Sequence, residues 1–208
     1  MSTQFNVTNN VEDMQGKTVL VFLKPQNPQR NYLIHAWQVL TGSAGATETF
    51  GYEANISTDV SSAGDKPGNT IISGRQQILP GQLYTANSPG GLSPQLQLAP
   101  TSLAQDKLTP EQCGVINQTN PFIQFNSNWY VNDRPVVSMP YVDANMTVSF
   151  EYLPNFYFMV ASPPMIGQTY IVQNFSDMTV YQMPITATEV DVILSKDKGV
   201  WTFNFSAS

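Results

Sequence analysis

From Asn145 to Tyr152 the chain alternates, with Met146, Val148, Phe150 and Tyr152 on one side and Thr147, Ser149 and Glu151 on the other. Successive side chains of a strand point to opposite faces, so this beat predicts a half-buried strand with one dry face. Glu48 to Ile56 repeats the pattern, Phe50, Tyr52, Ala54 and Ile56 falling opposite Thr49, Gly51, Glu53 and Asn55. Val190 to Ser195 and Val200 to Phe205 flank Lys196-Asp197-Lys198-Gly199, which predicts a hairpin with a four-residue loop. Its Trp201, and Trp37 upstream, read as core residues by alternation. Further strands are predicted at Gln4–Thr8, Thr18–Leu23, Ile34–Leu40, Thr70–Leu79, Gln95–Leu98, Pro121–Phe125, Asn155–Ala161, Thr169–Phe175 and Thr179–Thr188. The continuous apolar runs Val19–Leu23 and Phe156–Val160 suit interior strands covered on two sides.

Turn signals separate these segments: Lys24-Pro25, Asn27-Pro28, Asp65-Lys66-Pro67-Gly68-Asn69, Pro80-Gly81 and Pro163-Pro164. Strands so spaced predict an all-β fold, a two-sheet antiparallel β-sandwich of jelly-roll or Greek-key type, as one domain over residues 1–208. Between Ala86 and Gly114 the beat fails, and Pro89, Pro94, Pro100 and Pro110 recur among Gly, Ser and Gln. This stretch reads as an ordered Pro/Gly/Gln-rich insertion, pinned by Leu92, Leu96, Leu98, Leu103 and Leu108; a boundary between two subdomains would look the same. Thr109-Pro110-Glu111-Gln112 carries the cap, first-turn proline and N3 acceptor of one helical turn. Thr47-x-x-Phe50-x-Tyr52 and Thr147-x-x-Phe150-x-Tyr152 share their spacing. Two β-rich halves built alike would produce this echo, and so would coincidence among Thr- and aromatic-rich strands.

Composition changes the picture at the surface. Only 12% of the 208 residues are charged while 41% are hydrophobic, against roughly 25% charged in ordinary soluble domains. Asn, Gln, Ser and Thr must therefore supply most of the water-facing surface, which repels its own copies weakly. A net charge of −6 and a pI near 4.5, with the basic residues scattered, exclude nucleic acid as the expected partner. No apolar stretch approaches a membrane span, so no membrane insertion is expected. Residues 1–10 lack the basic start and apolar run of a signal peptide. The expectation is a cytoplasmic chain by default, with vacuolar or non-classical export as alternatives.

Candidate chemistry is sparse. The single histidine, His35, lies within a predicted strand and reads as a hydrogen-bonded or solvent-facing side chain rather than a general base. One Cys and one His cannot close a structural zinc site, and no calcium loop or Gly-rich phosphate loop is present. No cofactor and no catalytic residue are expected. The carboxylates of Glu12-Asp13 and Glu189-Val190-Asp191 read as solvated. Cys113 reads as a small buried hydrophobe, with an intermolecular disulfide as the alternative. The best binding candidate is the run holding Asn128, Trp129, Tyr130, Asn132, Asp133 and Arg134. Such a run suits sugar recognition: a ring face stacks on a pyranose while amides, carboxylate and guanidinium bond its hydroxyls. Adjacent strand residues point oppositely, so only one of Trp129 and Tyr130 can be exposed.

Several segments resemble the bacterial rhizosphere-induced protein family of small β-rich proteins. They are Val7-Thr8-Asn9-Asn10, Val19 to Pro25, Ala36-Trp37 with Gly45 to Tyr52, Leu153 to Ala161, and Val200-Trp201-Thr202-Phe203. The segments are collinear over most of the chain. The resemblance implies a β-sandwich-like protein made in quantity, often under population-density control, with no catalytic residues. The region from Ala86 to Gly114 departs from that family.

The residues together predict a non-enzymatic structural protein whose partner is itself, in an ordered homo-oligomer or larger assembly. The alternative is a carbohydrate-binding module with glycans as partners. An enzyme built on dispersed carboxylates ranks last.

Overall fold

The computed structural model describes residues 2–14, 16–24, 32–63, 70–91, 93–120, 122–151, 155–161, 169–171 and 178–208. Among them the strands are β1 (Ser2–Asn9), β2 (Thr18–Lys24), β3 (Leu33–His35), β4 (Gln38–Leu40), β5 (Thr47–Glu53), β6 (Ile56–Ala63), β7 (Thr70–Ile72), β8 (Gln76–Gln77), β9 (Leu83–Asn87) and β10 (Gln95–Leu98). After the helix α1 (Thr101–Lys107) come β11 (Gln112–Asn117), β12 (Phe125–Val131), β13 (Arg134–Val142), β14 (Thr147–Glu151), β15 (Asn155–Ala161), β16 (Thr169–Ile171), β17 (Thr179–Gln182), β18 (Glu189–Asp197) and β19 (Val200–Ala207). The fold is all-β, as the alternation predicts.

The chain divides into two compact units. Met1–Lys24, Ile34–Ala54 and Pro154–Ser208 form the first, and Pro25–Leu33 with Asn55–Leu153 the second. In the first unit one sheet has the order β19-β18-β1-β5 and another β17-β15-β2-β4. Phe5 of β1 stacks on Phe50 of β5 at 4.9 Å and meets Phe156 of β15 at 4.7 Å, so the two sheets share an aromatic core. Trp37 joins it edge-on to Phe50 and Tyr52. Each such ring pair contributes about 0.5–1.5 kcal/mol beyond the area it buries. The second unit pairs β10-β9-β11-β14 with a sheet in which β13, β12, β6 and β7 are successive neighbours and β8 also joins β6. Trp129 of β12 stacks on Phe150 of β14, ring centroids 5.6 Å apart. Helix α1 lies on this unit, where Leu103 and Leu108 pack against Leu83, Ala104 and Ile116.

The two units are built on one plan. β1 runs antiparallel to β5 and parallel to β18, as β11 runs antiparallel to β14 and parallel to β9. β18 pairs antiparallel with β19, and β9 with β10. In the other sheets β2 lies antiparallel to β4 and β15, as β12 lies antiparallel to β13 and β6; β17 then flanks β15 as β8 flanks β6. The likeness extends to single hydrogen bonds. Asn9 N–H donates to Ala46 O and Asn9 O accepts from Gly45; Asn117 N–H donates to Met146 O and Asn117 O accepts from Asn145. Asn9 Oδ1 accepts from the Val11 N–H and Asn117 Oδ1 from that of Thr119, each side chain closing its own turn. Gly45 and Asn145, at φ 73° and 60°, occupy the same left-handed position. The Thr47 and Thr147 echo marks equivalent strands: Phe50 is paired with Phe5 and Phe150 with Cys113.

Several local expectations are corrected. The alternation predicts two antiparallel sheets, but there are several, and the β19-β18-β1-β5 and β10-β9-β11-β14 sheets each contain a parallel pair; one-sided alternation does not distinguish the two senses. Residues 86–114 contain β10, α1 and the start of β11. The predicted helical turn at Thr109 is a tight turn instead, closed by Gln112 N–H to Thr109 O. The Gln112 side chain does reach back to the Thr109 N–H at 3.1 Å, as a capping box would, but β11 starts there. Ile34–Leu40 breaks at Ala36-Trp37 into β3 and β4, and Thr70–Leu79 breaks at Ser73–Arg75 into β7 and β8. Among the described residues of Pro121–Phe125 only Phe125 is in a strand, and Thr179–Thr188 ends as a strand at Gln182. The end of Thr169–Phe175, along with Leu92 and Tyr152, lies outside the described residues. Leu98 is 52% exposed and pins nothing. Trp201 is half-buried rather than core, with the ammonium groups of Lys196 and Lys17 4.5 Å and 5.5 Å from its ring.

Candidate functional site

β12 carries the predicted binding run, and its alternation decides which members reach the surface. Phe125, Ser127, Trp129 and Val131 point inward; Trp129 is 0% exposed against Phe150. It offers no ring to a ligand, which corrects its place among the candidates: the burial that stacks it removes it from solvent. Tyr130 points the other way and is half-buried. Asn132 and Asp133 form the two-residue turn into β13, both at positive φ (49° and 62°). Arg134 is exposed at the first position of β13.

Around Tyr130 the structure gathers residues that the sequence reading misses. Asp59 of β6 is 4% exposed and accepts a hydrogen bond from Asn128 Nδ2 at 2.8 Å. The same amide nitrogen lies 3.2 Å from Ser61 Oγ. Arg75, between β7 and β8, lays its guanidinium over the Tyr130 ring, 3.6 Å from the centroid. Its Nε stands 3.9 Å from Asp59 and its Nη1 3.4 Å from Asp133. Burial, then the hydrogen bond and charge of Asp59, push the Tyr130 hydroxyl above the usual tyrosine range, so it is a neutral phenol near pH 7. Beside the cluster lies an open recess of about 200 Å³ lined by Asn55, Ser57, Arg75, Gln77 and Asp133. These groups can donate and accept hydrogen bonds to a small polar molecule. They include no activated nucleophile. The matching positions of the first unit, read through the paired registers, hold Leu20, Phe22 and Met159 in place of Asn128, Tyr130 and Asp59. The shared plan therefore does not require this polarity.

Cys113 lies in β11 between β9 and β14, fully buried. Its thiol is directed at Phe150 O, 3.5 Å away, and burial pushes its pKa up to about 12. A sulfur so enclosed cannot reach a second chain, which corrects the intermolecular disulfide. His35 is half-buried, and desolvation lowers its pKa, keeping the imidazole neutral. Among the described residues no group of three or more His, Cys, Asp or Glu could hold a metal ion. Among them, too, no helix is long and apolar enough to cross a membrane.

A second surface is the outward face of the β19-β18-β1-β5 sheet. Thr8 and Thr47 share a hydrogen bond of 2.8 Å across β1 and β5. Asn6 Nδ2 donates to Glu189 at 2.6 Å and to Asp191 at 3.0 Å, so these carboxylates are bridged by an amide rather than merely solvated. Ser195 and Thr202 meet at 2.7 Å. At the sheet margins, the outermost strands β19 (VWTFNFSA), β17 (TVYQ), β4 (QVL), β10 (QLQL) and β7 (TII) contain neither a charged residue nor a proline, whereas the outermost strands β5 and β14 carry Glu48 and Glu53, and Glu151.

The chain matches no family model, none of the curated proteins and no solved structure.

Proposed function

We propose that this chain is a non-enzymatic structural protein that assembles with copies of itself through its sheet margins. The observation that carries the reading is β19, eight residues long and outermost in its sheet. An outermost strand presents a row of backbone donors and acceptors along its outer side, and proteins ordinarily blunt such rows with lysine, proline or a bulge. Val200–Ala207 has neither lysine nor proline, and Thr202, Asn204 and Ser206 face outward uncharged. The amide- and hydroxyl-rich faces add little electrostatic repulsion between copies. The resemblance to the rhizosphere-induced family, whose members are made in quantity, supports the same reading. A jelly-roll or Greek-key connection order belongs to the proposal as well.

The glycan alternative has less support. Its aromatic platform would be Tyr130, and Arg75 already covers one face of that ring. Sedimentation velocity over a wide concentration range, with negative-stain microscopy, tests the assembly. Species should grow with concentration, and Asn204→Lys should return them toward monomer without lowering thermal stability. A monodisperse monomer at every concentration would overturn the proposal.

A further inference from the structure

Each unit takes its strands from both halves of the chain. The first unit combines β1, β2, β4 and β5, within residues 2–53, with β15, β17, β18 and β19, within residues 155–207. The second combines β11 to β14, within residues 112–151, with β6 to β10, within residues 56–98. The plan common to the units makes β15, β17, β18 and β19 the counterparts of β6, β8, β9 and β10. The first half of the chain thus lends its trailing strands to the second, and the second lends its own to the first. Two like modules trading equivalent strands is the arrangement of a domain-swapped dimer, here contained in one chain.

From this we infer that a second copy of the chain is the partner, and that it joins by the same trade in trans: β15–β19 of one copy complete β1–β5 of another. The inference rests on the self-association reading and specifies its mechanism. The contacts that hold β18 to β1 are backbone hydrogen bonds in the register Phe5↔Val190 and Val7↔Val192, with those four side chains buried. They are the same whichever chain supplies β18. Exchange in cis and in trans then differ mainly in effective concentration, on the order of mM for a short flexible connection. The link from β5 to β6 is Ala54-Asn55 alone. A link this short strains easily, and strained hinges favour exchange between chains. Cys113, the one cysteine, is unbridged, so no disulfide locks the closed form.

Asn6 and Asp191 face each other across β1 and β18, their side chains 3.0 Å apart. Asn6→Cys with Asp191→Cys, in a Cys113→Ala chain, reports which copy supplies β18. The assembled species is isolated, oxidised and run under denaturing, non-reducing conditions. Exchange in trans predicts covalent dimers and longer ladders from most of the chains. A bridged monomer released from an intact assembly would overturn the exchange while leaving assembly through sheet margins standing. A chain monomeric at every concentration would overturn both. A short bismaleimide on the same thiols replaces oxidation if a parallel pair disfavours the disulfide. Thr8→Cys with Ile193→Cys, the next row of the same register, serves if the first pair does not fold. Ser195→Cys with Thr202→Cys joins β18 to β19 within one chain and marks the intrachain product.

Discussion

Asn9 and Asn117 close equivalent corners with unequal numbers of side-chain hydrogen bonds. Asn9 donates to Gly42 O and accepts from the Val11 N–H. Asn117 donates to both Ile123 O and Val142 O and accepts from the Thr119 N–H and Oγ1–H. Removing a buried partner strands the groups it satisfied, at about 1–3 kcal/mol. Asn9→Ala should therefore cost about 1–2 kcal/mol and Asn117→Ala about 3 kcal/mol in urea unfolding. Equal losses would mean that the additional bonds at Asn117 add nothing. Cys113 gives a pH signature. Its thiol is raised from the ordinary 9.0 to about 12 in the folded chain, so above pH 9 the unfolded state sheds a proton that the folded state keeps. Its contribution is complete below pH 9 and is lost as pH rises toward 12, at about 1.4 kcal/mol per pH unit. Denaturant unfolding at pH 7 and pH 10 should show this alkaline loss, and Cys113→Ala should remove it.

Elements with one dry face were legible because a single period decides their register. Phe50, Val148 and Phe150 are buried as the alternation requires, and Asn155–Ala161, marked by its continuous apolar run instead, matches its predicted bounds. The terminal hairpin was legible in place but not in loop length. Lys198 and Gly199 both adopt positive φ, 49° and 86°, so two residues make the turn and Lys196 and Asp197 continue the pairing. β6 and β11 were not legible. Thr58, Asp59 and Val60 of β6 are buried without an apolar beat, and β11 begins at Gln112, Cys113 and Gly114, inside the stretch where the beat fails. That glycine has a packing reason: a Cβ there would stand 2.8 Å from Leu108 Cδ2 and 3.1 Å from both Leu83 Cδ1 and Val148 O. The leucine tips can yield, but the strand carbonyl cannot. Gly114→Ala should cost about 1–3 kcal/mol through overpacking, with α1 loosened first. A thermal melt no different from the parent would show that Leu108 moves aside freely.

At the scale of the whole molecule, what could not be read was which distant segments meet. Asp59 and Arg75 reach Tyr130 from elements that local periodicity does not connect to β12, so only part of the site was visible. The same holds for the unit plan: Asn6 and Asp191, joined by a hydrogen bond, lie 185 residues apart. Such pairings carry the loop-closure cost before any contact offsets it, which slows folding. They also make the units unequally sensitive to the C-terminal end. Removing residues 188–208 deletes β18 and β19, and with them Val190, Val192, Leu194 and Phe203 from the first unit's core. The strands β6 to β12 and β14 of the second unit lie between Ile56 and Glu151 and pair with one another or with β13. Hydrogen exchange on the truncated chain should show β1, β2 and β5 losing protection while β6, β9, β11, β12 and β14 retain it. Loss of protection in both sets would show that the second unit draws its stability from the first rather than from its own sheets.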